Sequence, residues 1–302
     1  MCELIGAEQV RNGLRFALRN LKSEKDNLNA LNLYPVADKD TGTNLVHSMS
    51  LTLDNLPQED SASAVFKDVS DLLLEYAYGS SGTILNLFFE GFAEGLQDKE
   101  YLSGTDLARA FDAGVQRAVY GVEKPENGTI LSVGRQSAEA GLSVLEITED
   151  ASVVWKRITE EGHAALQLTP TQNPRLKGSG VMDSGAYGLC LILDGFLESF
   201  EPEAVKIPYP DLIFPDSKKN GESGGALYRY CTEFVVRLGD IAALEEIKGS
   251  IAELGNCFLC ASNGDSVKVH IHTNKPEEVL ELASKIGKLH SQKIDDMERQ
   301  ML

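Results

Sequence analysis

The chain has 302 residues, a hydrophobic content of 42% and a formal net charge of −18. This length favours two domains. The acidity argues against a nucleic-acid partner, because a protein that binds the phosphate backbone needs a basic face. Five cysteines in a chain of this length do not indicate a disulfide framework. The sequence contains neither a signal peptide's apolar stretch nor an apolar run long enough to span a bilayer. These features predict a cytoplasmic protein.

The first two thirds of the sequence show the three- and four-residue apolar spacing of amphipathic helices. The pattern predicts eight helices, at residues 7–30, 43–56, 62–78, 82–98, 104–120, 129–146, 150–167 and 184–200. Residues 201–226 contain four prolines and then a polar, glycine-rich stretch, which is typical of a linker.

The pattern changes after residue 226. Residues 230–238 and 266–273 alternate like half-buried strands, and residues 256–262 form a short apolar run. Helices are predicted at 241–255 and 276–287, and a last short strand at 289–294. The predicted organisation is therefore a helical domain (1–200), a linker (201–226) and a small α/β domain (227–302).

A loop with two aspartates separates the first two predicted helices. Asp38 and Asp40 lie between Pro35 and Gly42 in the segment NLYPVADKDTGTN, residues 32–44. Such carboxylates suit Mg²⁺, which proteins usually hold through one or two carboxylates plus substrate phosphates. The N–H groups at the start of the next helix would face an anion. A helix-capping turn uses the same residue types, so the spacing alone leaves both interpretations open.

Three other glycine-containing segments lie at the starts of predicted helices: GSSG at 79–82, ENGTIL at 126–131 and GVMDSGAYG at 180–188. Small residues with free N–H groups at a helix start can bind phosphate. Tight turns between helices favour the same residues, so each segment alone is a weak indication of function.

His270 and His272 lie on one face of a predicted strand, because strand side chains repeat every two residues. Together with Cys231, at the start of another strand, they form a ligand set that suits Zn²⁺ with an open position. The alternative is a strand whose polar residues face solvent. Cys257 and Cys260 form a CxxC, but three residues apart on a strand they point to opposite faces. We interpret them as core or near-core thiols.

Together these motifs resemble the bacterial fatty acid kinase ATP-binding subunit family, which is related to the L subunit of dihydroxyacetone kinase. Residues 32–44 resemble the family pattern N-V-F-P-V-P-D-G-D-T-G-T-N, and GSSG looks like the same element of dihydroxyacetone kinases. YCTEF and VKVHIHTNKPEEVL resemble the family's G-Y-C-T-E-F and V-K-V-H-V-H-T-x-x-P-G-x-V-L. The resemblance covers almost the whole chain. It implies a DhaL-like up-and-down barrel of eight helices followed by a small α/β domain.

Position by position, the resemblance implies that Asp38 and Asp40 hold two Mg²⁺ ions that bridge the phosphates of ATP, with Asn32 as a further ligand or an orienting group. The positions implied to contact the nucleotide are Thr41, Gly42, Thr43, Asn44, Gly79, Ser80, Ser81, Gly82, Thr129, Asp183 and Gly185. The matching Cys231, His270 and His272 are implied to bind a metal, with Zn²⁺ as the candidate, and to take part in phosphotransfer.

The implied reaction transfers the γ-phosphoryl group of ATP to a fatty acid carboxylate and gives an acyl phosphate. A separate DegV-like fatty-acid-binding protein would present the acid, and the protein would form a homodimer. The family's own C-terminal DegV-like domain has no counterpart in the 302 residues. Two alternatives stay open. GSSG favours a dihydroxyacetone kinase-like subunit. Lys39 and Tyr78, which replace a family glycine and arginine, favour a nucleotide-binding regulatory protein without catalysis.

Overall fold

The computed structural model describes residues 3–203, 207–215, 227–239 and 242–300. The first of these ranges contains the eight predicted helices. They are α1 (Ala7–Leu31), α2 (Thr41–Asp54), α3 (Ala62–Tyr76), α4 (Gly79–Leu96), α5 (Gly104–Gly121), α6 (Ile130–Val144), α7 (Ala151–Gln172) and α8 (Ser184–Phe200). Among the described residues, no helix combines the length and the apolar character that crossing a bilayer requires.

Two boundaries of these helices differ from the prediction by more than two residues. Helix α4 begins at Gly79, three residues before the predicted start, so the GSSG segment that opens it forms its whole first turn. Helix α7 continues five residues beyond 167 and passes through Pro170. A proline lacks the N–H that would bond to the carbonyl four residues earlier. Here the Thr169 hydroxyl donates to the Leu166 carbonyl oxygen at 2.8 Å, so that carbonyl keeps a partner and the helix continues.

The eight helices form a closed ring in which consecutive helices pack together and α8 packs against α1. A cluster of large aromatic side chains fills the interior: Phe66, Phe89, Phe92, Phe111, Trp155 and Phe196. Because the helices alternate in direction, the starts of α2, α4, α6 and α8 lie at one end of the barrel, called the motif end here. The aspartate loop and the three glycine-containing segments therefore gather at the motif end.

The remaining elements form a small α/β domain. They are β1 (Tyr230–Leu238), α9 (Ala242–Ala252), β2 (Gly255–Asn263), β3 (Ser266–Thr273), α10 (Pro276–Ile286), β4 (Gly287–Asp296) and α11 (Met297–Gln300). The strands form one antiparallel sheet in the order β2-β3-β1-β4. The predicted strands and helices are confirmed; β4 is longer than predicted, and the short α11 is not predicted. One face of the sheet, with Phe234, Val236 and Ile271, packs against α10 in a separate core.

The other face of the sheet packs against the helical domain. Ala261 of β2 is fully buried in the core of the helical domain, and Leu259 forms a backbone bridge with Val122 just after α5. Beside this contact, Arg117 of α5 forms an ion pair with Glu90 of α4. The sheet thus covers part of the motif end. Within the predicted linker, residues 204–206 and 216–226 lie outside the described residues, as does Cys2.

Candidate functional site

The aspartate loop is held in shape by Asn32, which is buried just after α1. The Asn32 Oδ1 accepts the N–H groups of Asp40 at 3.1 Å and of Thr41 at 3.2 Å, while its Nδ2 donates to the Val36 carbonyl at 2.9 Å. The amide oxygen is thus engaged by the backbone of the loop. Of the two roles that the sequence leaves open for Asn32, this geometry favours the orienting role.

The two aspartates of the loop are close enough for protonated Asp38 to donate a hydrogen bond to Asp40. Burial and the negative charge of Asp40 raise the pKa of Asp38 to about 8. Burial also raises the pKa of Asp40, against the hydrogen bonds from Asn44 and Asp38 and the positive charge of Lys293. No ion pair joins either carboxylate to a basic side chain in the part of the chain that the structure describes. Two adjacent carboxylates that form no ion pair are a donor set that fits Mg²⁺.

Glycines allow the helix starts to approach this loop closely. Gly79 has φ +66°, and a Cβ there would lie 2.1 Å from Nδ2 of Asn44. A Cβ at Gly42 would lie 2.2 Å from the Lys25 carbonyl oxygen of α1. Only glycine fits at such contacts. Because the Asn44 side chain also bonds to Asp40, it connects the start of α4 with the pair of aspartates.

Asp183 connects two further helix starts. It is the N-cap of α8, and its Oδ1 accepts the Ala186 N–H at 2.8 Å. Burial raises the pKa of Asp183 to about 6, while N–H groups of Ala186, Ile130 and Gly185 oppose that rise. Since Ile130 opens α6, one carboxylate joins the starts of α6 and α8. The capping role predicted for Asp183 is therefore observed, and its nucleotide contact stays a prediction.

The hydroxyl residues near the helix starts make hydrogen bonds to different parts of the helical domain. The hydroxyl of Ser184 donates to Oγ1 of Thr41 at 3.1 Å, which joins α8 to the start of α2. Thr129 is the N-cap of α6, and its hydroxyl donates to the Glu126 carbonyl at 2.8 Å. Thr43 is exposed, and both its N–H and its hydroxyl bond to the Asn29 side chain of α1. These contacts of Thr43 are with α1, so they give it no link to the two aspartates.

Lys39, between the aspartates, is exposed and has φ +57°. This is the left-handed region, which glycine adopts without strain and other residues do not. The backbone therefore explains why the resembling family has glycine at this position. The exposed side chain of Lys39 leaves the pair of aspartates without a cation from the loop.

The strand register brings the second group of predicted residues together. Cys231 lies opposite His272, and Glu233 lies opposite His270, so all four side chains share one face of the sheet. The two histidines are 1% and 3% exposed, which rules out the alternative of a solvent-facing pair. Their Nε2 atoms are 3.2 Å apart, and the Cys231 Sγ lies 3.7 Å from Nδ1 of His270.

This cluster fits a zinc ion. The ligand atoms of Cys231, His270 and His272 lie within 4.8 Å of one another. Two nitrogens bound to a tetrahedral zinc at about 2.0–2.1 Å are roughly 3.3 Å apart, close to the observed separation. His270 Nδ1 also bonds to the Glu233 carboxylate at 2.9 Å, as ligand histidines commonly do. Burial lowers the pKa of His272 to about 3, so the imidazole stays neutral, which is the form that binds a metal.

The cluster also contacts the motif end directly. Since Glu233 engages Nδ1 of His270, the lone pair of Nε2 accepts a hydrogen bond from the hydroxyl of Ser80, at 2.8 Å. The same lone pair would bind zinc in place of Ser80 when the metal is present. Ser80 belongs to the first turn of α4. The structure therefore brings the Cys/His cluster and the GSSG segment together, although 190 residues separate Ser80 from His270.

Comparisons with known proteins agree with this architecture. The family model of the DAK2 domain matches residues 35–198, and the model of the FakA-like (fatty acid kinase) middle domain matches residues 227–302. The chain belongs to the DAK2 domain family. It is a kinase-related protein of this type with a FakA-like middle domain, as the sequence resemblance implies.

Uncharacterized staphylococcal proteins are similar to this DAK2 protein. One from Staphylococcus saprophyticus is 34% identical over 297 residues, covering 93% of this chain and 53% of its own length. One from Staphylococcus aureus is 32% identical over 299 residues, covering 93% of this chain and 54% of its own length. The chain thus spans about half the length of the curated relatives it matches.

Two solved structures also match, at 19% identity and 66% coverage of this chain. The dihydroxyacetone kinase of C. freundii in its native form gives a TM-score of 0.43 over 36% of that chain. The same enzyme in complex with AMP-PNP and Mg²⁺ gives a TM-score of 0.48 over 35% of that chain.

Local sequence patterns do not identify several charged residues of the middle domain as part of the site. Lys268 on β3 shares the sheet face of the cluster, as do Lys293 and Asp295 on β4. Lys293 lies opposite Glu233 and pairs with Asp295 at 2.5 Å. Lys268 is two residues before His270, and Lys293 is two residues before Asp295. Because strand side chains alternate between faces, the strand register then places all of them on the face of the cluster.

The two cysteines of the CxxC lie in different surroundings, in line with their interpretation. Cys257 is half-buried near Asp38, and burial together with that negative charge raises the pKa of its thiol to about 12. Cys260 packs against the core of the middle domain.

Proposed function

We propose that this DAK2 protein is the ATP-binding subunit of a fatty acid kinase. It binds Mg-ATP at the motif end and transfers the γ-phosphoryl group to a fatty acid carboxylate presented by a DegV-like lipid-binding protein. The observation that carries the proposal is the pair Asp38 and Asp40, held side by side and joined by no ion pair to a basic side chain among the described residues. This pair lies between the helix starts of the barrel and the Cys/His cluster of the middle domain.

The residues of the aspartate loop and of the neighbouring helix starts have separate roles in binding Mg-ATP. Asp38 and Asp40 hold two Mg²⁺ ions, which when bound neutralise phosphate charge and polarise the phosphoryl oxygens. Asn32 fixes the path of the loop through the N–H groups of Asp40 and Thr41. The first-turn N–H groups of α2 and α4, including those of Gly42 and Ser80, bind phosphate oxygens. Asn44 keeps these two helix starts together.

The nucleoside has room beside the start of α6. A cavity of about 320 Å³ lies next to Thr129, lined by Asn127, Ser132, Arg135, Gln136 and Gln172. This volume lies at the lower end of the range of small-molecule sites, and the amide side chains suit hydrogen bonds to a base or ribose. We place the adenosine part of ATP in this cavity.

In the transfer, a carboxylate oxygen of the fatty acid bonds to the γ-phosphorus while the bond to the β–γ bridging oxygen breaks, and ADP leaves. The attacking carboxylate is already ionised at neutral pH, so the step needs no general base. The protein contributes position and charge, as is usual for phosphoryl transfer. The sheet face of the middle domain shields part of the motif end from water by packing over it.

The Cys/His cluster acts at this interface. Cys231, His270 and His272 hold a Zn²⁺ ion, which when bound supplies a fixed positive charge beside the phosphate site. His270 keeps its ring oriented through Glu233, at 2.9 Å, and its Nε2, 2.8 Å from the Ser80 hydroxyl, would bind the zinc in place of that hydroxyl. The cluster adjoins the first turn of α4, and its histidines are part of the proposed phosphotransfer.

The match to the FakA-like middle domain supports a fatty acid as the acceptor and a partner protein that presents it. The homodimer and the cytoplasmic location are further parts of the proposal. Release of ADP tests the acceptor. The protein with Mg-ATP is mixed with a DegV-like partner loaded with fatty acid, and separately with glycerone and a dihydroxyacetone-binding subunit. Turnover that depends on the loaded partner, and that Asp40→Asn abolishes, supports the proposal.

Two other results of this assay contradict the acyl assignment. Turnover that depends on glycerone identifies a dihydroxyacetone kinase-like subunit, which the GSSG segment at the start of α4 favours. Mg-dependent ATP binding without turnover for either acceptor identifies a regulatory protein.

A further inference from the structure

Lys293 occupies an unusual position at the contact between the two domains. It lies on β4, on the sheet face that packs against the motif end. Its Nζ is 4.6 Å from the centre of the Tyr78 ring, a cation–π distance, and 2.5 Å from Oδ2 of Asp295. Tyr78 is the N-cap of α4, so the ammonium group lies beside the start of the helix that GSSG opens.

Two features at this position attract an anion: the Lys293 ammonium group and the start of α4. The N-terminus of a helix carries a partial positive charge, which repels a cation and attracts an anion. Lys293 is nevertheless held there firmly. Asp295 binds its ammonium group, the Tyr78 ring lies against it, and the backbone N–H of Tyr78 bonds to the Ser48 hydroxyl of α2 at 2.9 Å. A phosphate group between the ammonium and the first turn of α4 would be attracted by both, in place of the Asp295 carboxylate that now balances the Lys293 charge.

Lys293 also lies near enough to Asp40 for its positive charge to act on that carboxylate. Lys268, on the same sheet face, is 4% exposed, and the acidic groups that act on it are Glu233 and Glu75. Its surroundings therefore keep Lys268 within the protein, whereas Lys293 is half-buried and open to a ligand.

We propose that Lys293 is a catalytic residue that binds the phosphoryl group being transferred, exchanging Asp295 for a phosphate oxygen when Mg-ATP occupies the start of α4. The inference rests on the proposed function and adds to it a cation from the middle domain. Because Lys293 belongs to the middle domain, the nucleotide site is complete only when the sheet packs on the motif end. Domain contact and catalysis are thereby coupled.

The test compares binding of Mg-ATP and Mg-ADP by calorimetry, together with acceptor-dependent turnover. In Lys293→Met the affinity for Mg-ATP should fall by about ten- to a hundredfold, because the variant loses a hydrogen bond between charged groups. The affinity for Mg-ADP should change by less than about threefold, because ADP lacks the γ-phosphate that Lys293 contacts. Lys293→Arg should restore most of the loss. The matched control is Lys288→Met, an exposed lysine of the same strand, which should bind like the wild type.

Asp295→Asn separates a phosphate contact from a structural ion pair. If Lys293 binds phosphate, this variant keeps the preference for Mg-ATP over Mg-ADP, because the competing carboxylate is gone. If Asp295→Asn reproduces the loss seen in Lys293→Met, or if Lys293→Met weakens both nucleotides equally, the inference is overturned. Lys293→Gln gives a second measurement should the methionine variant not fold. A wild-type protein that binds neither nucleotide overturns the proposed function instead.

Discussion

Replacing Asp38 by Asn should stabilise the metal-free protein at alkaline pH. In the folded protein the pKa of Asp38 is about 8, against an ordinary value of 3.8. Between these two values the folded state holds a proton that the unfolded state has released, so Asp38 destabilises the fold increasingly as pH rises from about 4 to about 8. The amide of asparagine is neutral at every pH and has nearly the same shape as the protonated carboxyl group.

The magnitude follows from the pKa. A shift from 3.8 to about 8 is about four units, and at about 1.4 kcal/mol per unit it sets a ceiling of roughly 5–6 kcal/mol. Water reaches part of the side chain and screens the repulsion. We therefore expect the free energy of unfolding of Asp38→Asn to exceed that of the wild type by about 1–3 kcal/mol at pH 8 and by little near pH 4.

Urea unfolding in the presence of a chelator, at pH 4.5 and pH 8, measures this gain. Asp26→Asn serves as the control, because the Asp26 side chain is 94% exposed and should give no gain at either pH. Added Mg-ATP should reverse the order, stabilising the wild type more than Asp38→Asn. The reasoning is refuted if Asp38→Asn is less stable than the wild type at pH 8 without metal, or if its gain is the same at both values of pH.

Three further predictions concern the loop, the domain contact and the cluster. Lys39→Gly should raise the free energy of unfolding by about 0.5–1 kcal/mol, because glycine relieves the left-handed backbone strain; thermal unfolding measures it, and an equal gain in Lys39→Ala would contradict the reason given. Arg117→Met should lower the free energy of unfolding by about 3 kcal/mol at pH 8, and by less at pH 5, because it leaves the buried Glu90 carboxylate unpaired. A loss below about 1 kcal/mol at pH 8 in urea unfolding would contradict this prediction. Metal analysis of purified protein should find about one zinc per chain, and His272→Ala should remove it; equal zinc in both would disprove the assignment.

Local sequence patterns predict much of this molecule. The eight helices follow from apolar spacing, and the alternating direction of the helices explains why the aspartate loop and GSSG meet at one end. The aspartate pair itself is visible in the sequence, because Asp38 and Asp40 are two residues apart in a loop that Pro35 and Gly42 define. These are features in which neighbours in the chain determine the structure.

Long-range contacts account for what the sequence does not predict. The role of Lys293 depends on β4 pairing with β1 in a register that shifts between Val235 and Val236, and no local pattern fixes such a shift. The contact of Ser80 with His270 depends on the whole sheet docking on the barrel. The burial of His272 follows from the same docking, which is why the sequence alone leaves a solvent-facing strand open as an alternative.

The central claim is that the two loop carboxylates hold Mg-ATP at the motif end, and calorimetric titration tests it most directly. The wild type should bind ATP in the presence of Mg²⁺ and lose most of that affinity in a chelator, while Asp38→Ala should bind Mg-ATP at least about tenfold more weakly, a difference of about 1.4 kcal/mol. Equal affinity of the wild type and Asp38→Ala for Mg-ATP would contradict the account.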